Sequence, residues 1–386
     1  MEFFGRNFHL PTLPPTTARL REQVRKFISE ELEEGRYVPI CNSWMEGFSP
    51  EFSRRLGARG WIGYHWPKRY GGQEGSALDT FTINEELLAA GAPVAAHWSA
   101  ARQNGPLLMR FGTPAQQRKF LPGIAAGEVY ISAGLSEPDV GSDLASVRTR
   151  ARECPGGWLL SGRKLWSSNA HRCQYMIVFC RTSPRDEVQR HRGLTQLIVD
   201  LKSPGVTIRP IRMLDGGHHF NEVTFDDVRV GRDMVIGTAG EAWRQVTSQL
   251  AFERSGPERF MSTFPLLQQV FHGIAEEPDS ERSAIAGRLI ARLMTLRSMS
   301  QAVASVIDAG QSPDLEAAFV KDLGTCFERD SVEAARELLR DAERLHGDLN
   351  LQKILMQVIQ AAPTFTLRGG TTEVLRNIIA KRLIAR

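Results

Sequence analysis

The chain has little cysteine and no CxxC pair. Its five cysteines, Cys41, Cys154, Cys173, Cys180 and Cys326, are scattered and odd in number. That spacing excludes a disulfide framework and a thiolate zinc site, and it fits a reducing compartment. No apolar run approaches the roughly 20 residues a membrane span requires. The stretch from Met1 to Pro15 lacks the basic-then-apolar pattern of a secretory signal, so a cytoplasmic location is expected. No GxGxxG is present, which removes a Rossmann dinucleotide fold. The segment Gly157 to Gly162-Arg163-Lys164 brushes the phosphate-loop pattern. It lacks a Lys directly after the glycine and the following Ser or Thr, and it sits between expected strands, so it is set aside. His218 and His219 are neighbours in an expected loop, and no carboxylate–histidine metal constellation surrounds them. Charge of one sign is also missing. The 48 basic and 44 acidic residues leave a net charge of +4, without the clustering of a nucleic-acid footprint. That mild excess favours anionic ligands modestly.

What is present is a soluble globular composition, 42% hydrophobic and 24% charged, on 386 residues. That length exceeds one usual core and predicts two or three domains. The first third reads as helical. Thr16-Thr17 can cap a helix whose Leu20, Val24, Phe27, Ile28 and Leu32 recur at helical spacing. Ser49-Pro50 begins a second helix that Gly60 ends, and a third covers about 77–90. Thr113-Pro114 opens a fourth that Pro122 stops. Past Gly127 the chain turns to short β-rich runs at 129–132, 158–161, 175–181, 194–200, 206–211 and 222–230, separated by Gly, Pro, Asp or Asn. From about Gly240 helical periodicity returns, over 241–256 and beyond, 283–308, 315–347, 351–366 and 372–386. The predicted plan is an α+β protein: a helical domain at 1–124, a β-barrel-like domain at 125–236, and a four-helix bundle at 237–386.

Three local motifs fall in order along this plan. The first is Leu135-Ser136-Glu137-Pro138-Asp139-Val140-Gly141-Ser142-Asp143. The second is Lys164-Leu165-Trp166-Ser167-Ser168-Asn169. The third is Arg368-Gly369-Gly370-Thr371-Thr372-Glu373, ahead of Arg376-Asn377. Together they resemble the acyl-CoA dehydrogenase family over nearly the full length. The resemblance implies that fold, FAD as cofactor, an acyl-CoA substrate and an electron-transfer flavoprotein as acceptor. It places Leu135 and Ser136 at the edge of the flavin ring and Trp166 over one flavin face. Ser168 becomes the hydroxyl donor to flavin N5. Gly141 and Ser142 lie where substrate and flavin tail meet, glycine there allowing close backbone approach. Thr371 and Glu373 fall on the flavin side or at a helix start, where an acidic residue suits the dipole.

The family usually carries its catalytic glutamate where this chain has Gly369. Oxidation at the α–β bond requires a base, so one must come from elsewhere. A subset of the family, including isovaleryl-type enzymes, carries it on a helix just before an arginine, and Glu253-Arg254 matches that position. Glu253 is therefore the expected base, its pKa raised by burial, and Arg254 a substrate contact. The backbone N–H at Gly369 remains as an oxyanion donor, a class of contact worth about 3 kcal/mol. Gly370 adjoins the substrate. Alone, a Glu-Arg dipeptide is more often an exposed helix pair, and Glu258-Arg259 reads as such a pair. Arg368, next to the usual base position, either tunes the pocket or pairs with Glu253, or is solvated. Glycine at 369 is expected to open space for a branched or cyclic acyl group.

Two elements depart from the homotetrameric members. No Arg-x-x-Phe-Gly occurs in Ser280 to Gly287, and no Gln-x-x-Gly-Gly near Leu338 to Ala342. In the family these parts reach the FAD of a neighbouring subunit. The pattern is similar to one subunit of heteromeric α2β2 acyl-CoA dehydrogenases acting on bacterial steroid side chains; a homo-oligomer is the other option. Besides α,β-dehydrogenation to a 2-enoyl-CoA, the same scaffold allows a flavin oxidase or monooxygenase, or a non-catalytic partner subunit.

Overall fold

The computed structural model describes residues 2–3, 6–7, 13–276, 279–339 and 348–384; the side chains of 2, 3, 6, 7 and 249–253 lie outside that description. Contacts divide the chain into two compact units. One is Phe48–Glu74 with Val94–Phe252, and the other is Met1–Gly47, Gly75–Pro93 and Glu253–Arg386.

The first unit is built on a seven-stranded sheet. In spatial order run Ile131–Gly134, Tyr175–Arg181, Arg150–Cys154, Gly157–Lys164, Phe220–Gly231 and Val206–Ile211, with Leu194–Asp200 also paired to Tyr175–Arg181. Tyr175–Arg181 is apolar almost throughout because both its faces are covered. Met176, Val178 and Cys180 enter one core with Leu197, Val199, Leu160 and Phe225. Phe179, on the opposite face, enters another with Val140, Val147, Leu194 and Val246. Ile131–Gly134 lies parallel to this strand, Ile131 opposite Tyr175. Parallel neighbours need a long crossover. Here the crossover, residues 135–174, carries both of the first two motifs. Arg150–Cys154 was not expected as a strand; of its five residues only Ala151 is fully buried, so it has no alternating apolar signal.

Helices flank the sheet within the same unit. Ser49 caps Pro50–Ala58 by accepting the Phe52 N–H at 3.2 Å. Thr113 and Gln116 form a capping box on Pro114–Ala125. Pro122 does not stop that helix, contrary to expectation. It sits in the last turn, where it removes one hydrogen bond, while Leu121, Ile124 and Ala125 are buried around it. A π-helical turn, Ala100–Asn104, joins Ala95–Ser99 to Gly105–Phe111. From it Asn104 donates to the Ile131 carbonyl at 2.9 Å, which ties this segment to the strand that leads into the first motif.

The second unit is helical: Pro15–Glu33, Ala77–Ala89, Phe264–Glu276, Ser280–Asp308, Asp314–Leu339, Leu349–Phe365 and Thr372–Ile384. Leu20, Val24, Phe27 and Ile28 are buried as their spacing predicts, whereas Leu32 is exposed. The first helix starts at Pro15, whose fixed φ begins it without a side-chain cap. Thr17 is already inside, donating to Asp79 at 2.6 Å. Asp279 caps Ser280–Asp308, three residues ahead of the expected start. The expected 315–347 helix is seen to Leu339, and 340–347 lies outside the described residues. Glu85 joins three helices of this unit, accepting from Arg21 at 2.9 Å and Arg297 at 2.5 Å. Among the described residues no helix is long and apolar enough to cross a membrane.

Candidate active site

In the sheet unit the first two motifs form one shelf. Strand Ile131–Gly134 delivers Leu135 and Ser136, and the chain then turns at Glu137–Val140. The Glu137 carboxylate accepts the backbone N–H of Arg148 at 2.7 Å and of Thr149 at 3.0 Å. It also accepts Lys164 Nζ at 2.8 Å. Lys164 is 0% exposed and donates in addition to the Leu135 carbonyl at 3.0 Å. Burial pushes the Glu137 carboxyl up, but the Lys164 charge and the donors from Lys164, Thr149 and Arg148 outweigh it and hold it below the usual carboxylate range. A buried ion pair is favourable only when its remaining lone pairs are satisfied, as these are.

The second motif leaves its strand at Lys164 and is fixed on the shelf from several sides. Leu165 N–H donates to Ser136 O at 2.9 Å, and Ser167 N–H to Asn221 O at 3.0 Å. Ser132 Oγ donates to Ser168 O at 2.8 Å, and Asn221 Nδ2 to Ser167 O at 3.0 Å. Asn169 N–H donates to His219 O at 2.6 Å. Between these anchors Trp166 has φ +58, a left-handed conformation unusual for a bulky side chain. Its ring stands edge-on to Phe220 at 5.7 Å and is left 52% exposed. Ser168 is half-buried, and Gly141 and Ser142 are exposed. A Cβ at Gly141 would meet nothing within 4 Å, so the fold itself does not require glycine there.

In the helical unit the third motif is a left-handed turn, with φ +68 at Gly369 and +99 at Gly370. Lys321, itself fully buried, donates to the Gly370 carbonyl at 2.6 Å. Thr371 starts the last helix by accepting the Val374 N–H at 3.4 Å. Glu373 is exposed in the first turn. The N–H of its own residue, then the Thr371 hydroxyl, hold its carboxyl below the ordinary range. The helix-start position expected for it is the one found.

Three expectations at this turn need correction. Glu258 and Arg259 are not an exposed pair; both are buried, Arg259 at 0% exposure. The reason is Gly324: a Cβ there would lie 2.5 Å from the Arg259 carbonyl, so the 257–259 turn packs directly on helix Asp314–Leu339. Arg368 is not solvated. It donates to Asn42 Oδ1 at 2.5 Å and Ser262 Oγ at 2.9 Å, and lies 3.5 Å from Glu328. Burial brings its pKa down to about 10, against the pull of Glu328. Gly369 does not open empty space either. A Cβ at that position would lie 3.0 Å from both terminal nitrogens of Arg259.

Glu253 is the last residue of helix Trp243–Glu253, and its side chain lies outside the described residues. Arg254 is half-buried, and its Nη2 would lie 3.8 Å from a Cβ on Gly370. The structure thus joins Leu135, Ser136, Trp166 and Ser168 on one shelf, and Arg254, Gly369, Gly370, Thr371 and Glu373 at one turn. Sequence reasoning missed Lys164, Glu137 and Arg259 as structural supports of these two places. Both members of the Lys164–Glu137 pair stood inside quoted motifs, but nothing local shows that they bond.

The acyl-CoA dehydrogenase N-terminal, middle and C-terminal domain models match residues 14–128, 132–228 and 280–384. Acyl-CoA dehydrogenase IpdE1 of Mycobacterium tuberculosis is 34% identical over 381 residues, 94% of this chain and 96% of that protein. Acyl-CoA dehydrogenase FadE34 of the same organism is 31% identical over 347 residues; the match takes in 87% of this chain but only 46% of that longer protein. A solved structure described as a Tcur3481-Tcur3483 steroid ACAD superposes with a TM-score of 0.85, at 25% identity and 99% of each chain.

Proposed function

The chain belongs to the acyl-CoA dehydrogenase family, and on that premise we propose how its residues divide the work of α,β-dehydrogenation. It is a flavin-using oxidoreductase, and we assign FAD as the flavin. The observation that carries the assignment is Trp166. A large aromatic ring is normally buried, yet this one is held half-exposed on a left-handed backbone with its neighbours bonded on both sides. Such a fixed, flat, apolar face suits a planar ring system, and the residues present fit the cofactor. Bound FAD would supply the acceptor for the β-hydrogen, which leaves the substrate as hydride. Leu135, Ser136, Trp166 and Ser168 would hold its ring, with Gly141, Ser142, Thr371 and Glu373 toward its tail.

Glu253 would take the α-proton. A carboxyl among apolar groups is pushed up toward the range in which it accepts a proton near neutral pH. Gly369 would offer its backbone N–H to the thioester oxygen, where negative charge develops. Gly370, Ser142 and Arg254 would bound the substrate. The acyl group we propose is branched or cyclic, of the steroid side-chain type. Its support is the description of the structural neighbour, since the space beside Gly369 is taken by Arg259. We further propose an electron-transfer flavoprotein as acceptor and a heteromeric assembly with a second acyl-CoA dehydrogenase-like subunit. The paired names of that neighbour and the missing Arg-x-x-Phe-Gly in 280–287 support the assembly.

The test is an absorbance spectrum of the purified protein, alone and with candidate partner subunits, then an anaerobic panel of acyl-CoAs. A flavin spectrum bleached by branched or ring-bearing acyl-CoAs is expected. Oxygen consumption without an acceptor would instead point to an oxidase. Flavin that no acyl-CoA reduces, in any assembly, would refute the reading.

A further inference from the structure

The Gly369–Gly370 turn is backed by a buried charged cluster that the proposed mechanism does not use. Arg259 lies within the helical unit, 0% exposed, with Nε 3.8 Å from Glu258. Its guanidinium carbon is 5.2 Å from the Trp44 ring, and that of Arg368 is 4.4 Å from the same ring. Trp44 is held in turn by its Nε1 donating to Ser262 Oγ at 3.0 Å. Glu328, behind Arg368, accepts the Ser262 N–H at 2.8 Å. Arg259 is thus built in. It cannot swing to water without vacating a packed site.

Its position relative to residue 369 has two consequences. A side chain at 369 would begin 3.0 Å from both Arg259 terminal nitrogens and 3.1 Å from the carbon between them. That start is closer than carbon normally comes, and φ +68 adds strain for any residue with a Cβ. A carboxylate forced in would sit against a guanidinium, and an adjacent positive charge keeps a carboxyl ionised and makes it a poor proton acceptor. The same charge, in a low-dielectric surround, favours negative charge arriving near the turn.

We propose that Arg259 is a positioning residue: its buried guanidinium makes position 369 unfit to carry a base, and strengthens the Gly369 turn as a stabiliser of the anionic, enolate-like thioester. This rests on the reading of Gly369 as the amide facing the thioester oxygen. It explains why a base must come from another segment of this chain.

The test uses the holoenzyme and acetoacetyl-CoA, an enolisable thioester that the enzyme binds without needing a base. Absorbance of the bound enolate is followed against pH. In Arg259→Met the midpoint for ionisation of the bound ligand should rise by about one pH unit, the weight of one lost charge-assisted contact. Arg259→Lys should restore most of it. Affinity for free coenzyme A, which cannot enolise, should not change in either variant. An unmoved midpoint in Arg259→Met, or a parallel loss of coenzyme A affinity in both variants, overturns the proposal. A second arm does not depend on Arg259→Met folding. The double variant Glu253→Gln/Gly369→Glu, with Arg259 intact, should show no substrate bleaching of its flavin; near-parental bleaching overturns the proposal. Bleaching by Glu253→Gln alone would refute the base assignment and leave the enolate titration standing, so the two failures are separable.

Discussion

The two buried charge sites treat their ions differently. On the shelf, one lysine meets one glutamate, and backbone donors complete the carboxylate's shell. At the glycine turn, two guanidiniums share one indole, with Glu328 at 3.5 Å from Arg368 and Glu258 at 3.8 Å from Arg259. The first arrangement is a closed structural tie that fixes where Leu135 and Trp166 stand. The second gathers two guanidiniums over one indole beside a backbone turn, where their charge can act on a ligand brought to that turn. Buried charge alone therefore does not mark function; what it stands beside does.

The contrast can be broken at its strongest point first. Lys164→Met leaves the Glu137 carboxylate buried without its cation. It should cost about 3–5 kcal/mol of stability, seen in denaturant unfolding, and reduce flavin content. Retention of both would mean that the pair does not hold the shelf.

Next come the two buried glutamates, whose pH responses should have opposite signs. Glu137 has its pKa lowered in the folded chain. Its contribution is present above the ordinary glutamate range and is lost as pH falls through its lowered value. Glu328 is raised, burial outweighing Arg368. Its contribution is present in acid and is lost as pH rises through the ordinary range toward its raised value. Substitution of either by Gln should cost about 1–3 kcal/mol where that contribution is present. The Glu137→Gln deficit should shrink in acid, and the Glu328→Gln deficit should shrink toward neutral pH. Unfolding midpoints across pH check both, and equal slopes for the two variants would remove the distinction. The smallest effect is at Gly141, where the protein leaves room for a Cβ. Gly141→Ala should change stability by no more than about 0.5 kcal/mol. Any larger loss of flavin or acyl-CoA affinity then reports a ligand approaching that backbone.

Much of the fold was legible because periodicity follows burial. Strands 175–181 and 194–200 end where their buried apolar runs end, and 206–211 shows through the alternation of Val206 and Ile208 with more exposed Thr207 and Arg209. Arg150–Cys154 was hidden because Arg, Ala, Arg, Glu and Cys offer neither an apolar run nor a β-branched or aromatic residue. At the site, the motifs located Trp166 and the glycine turn, since left-handed or strained positions draw particular residues. They did not locate Arg259. Two neighbouring charges, Glu258 and Arg259, read as surface, and only the close packing allowed by Gly324, far along the chain, buries them. Arg368 escaped for the same reason, its partners Asn42, Ser262 and Glu328 coming from three distant segments.

We propose that the carboxylate at helix position 253 takes the α-proton while 369 supplies only backbone. Anaerobic stopped-flow mixing of flavin-loaded Glu253→Gln with an acyl-CoA that reduces the parent tests it most directly. Intact flavin absorbance with no reduction by the ligand is the result the account predicts. Reduction at the parental rate would contradict it.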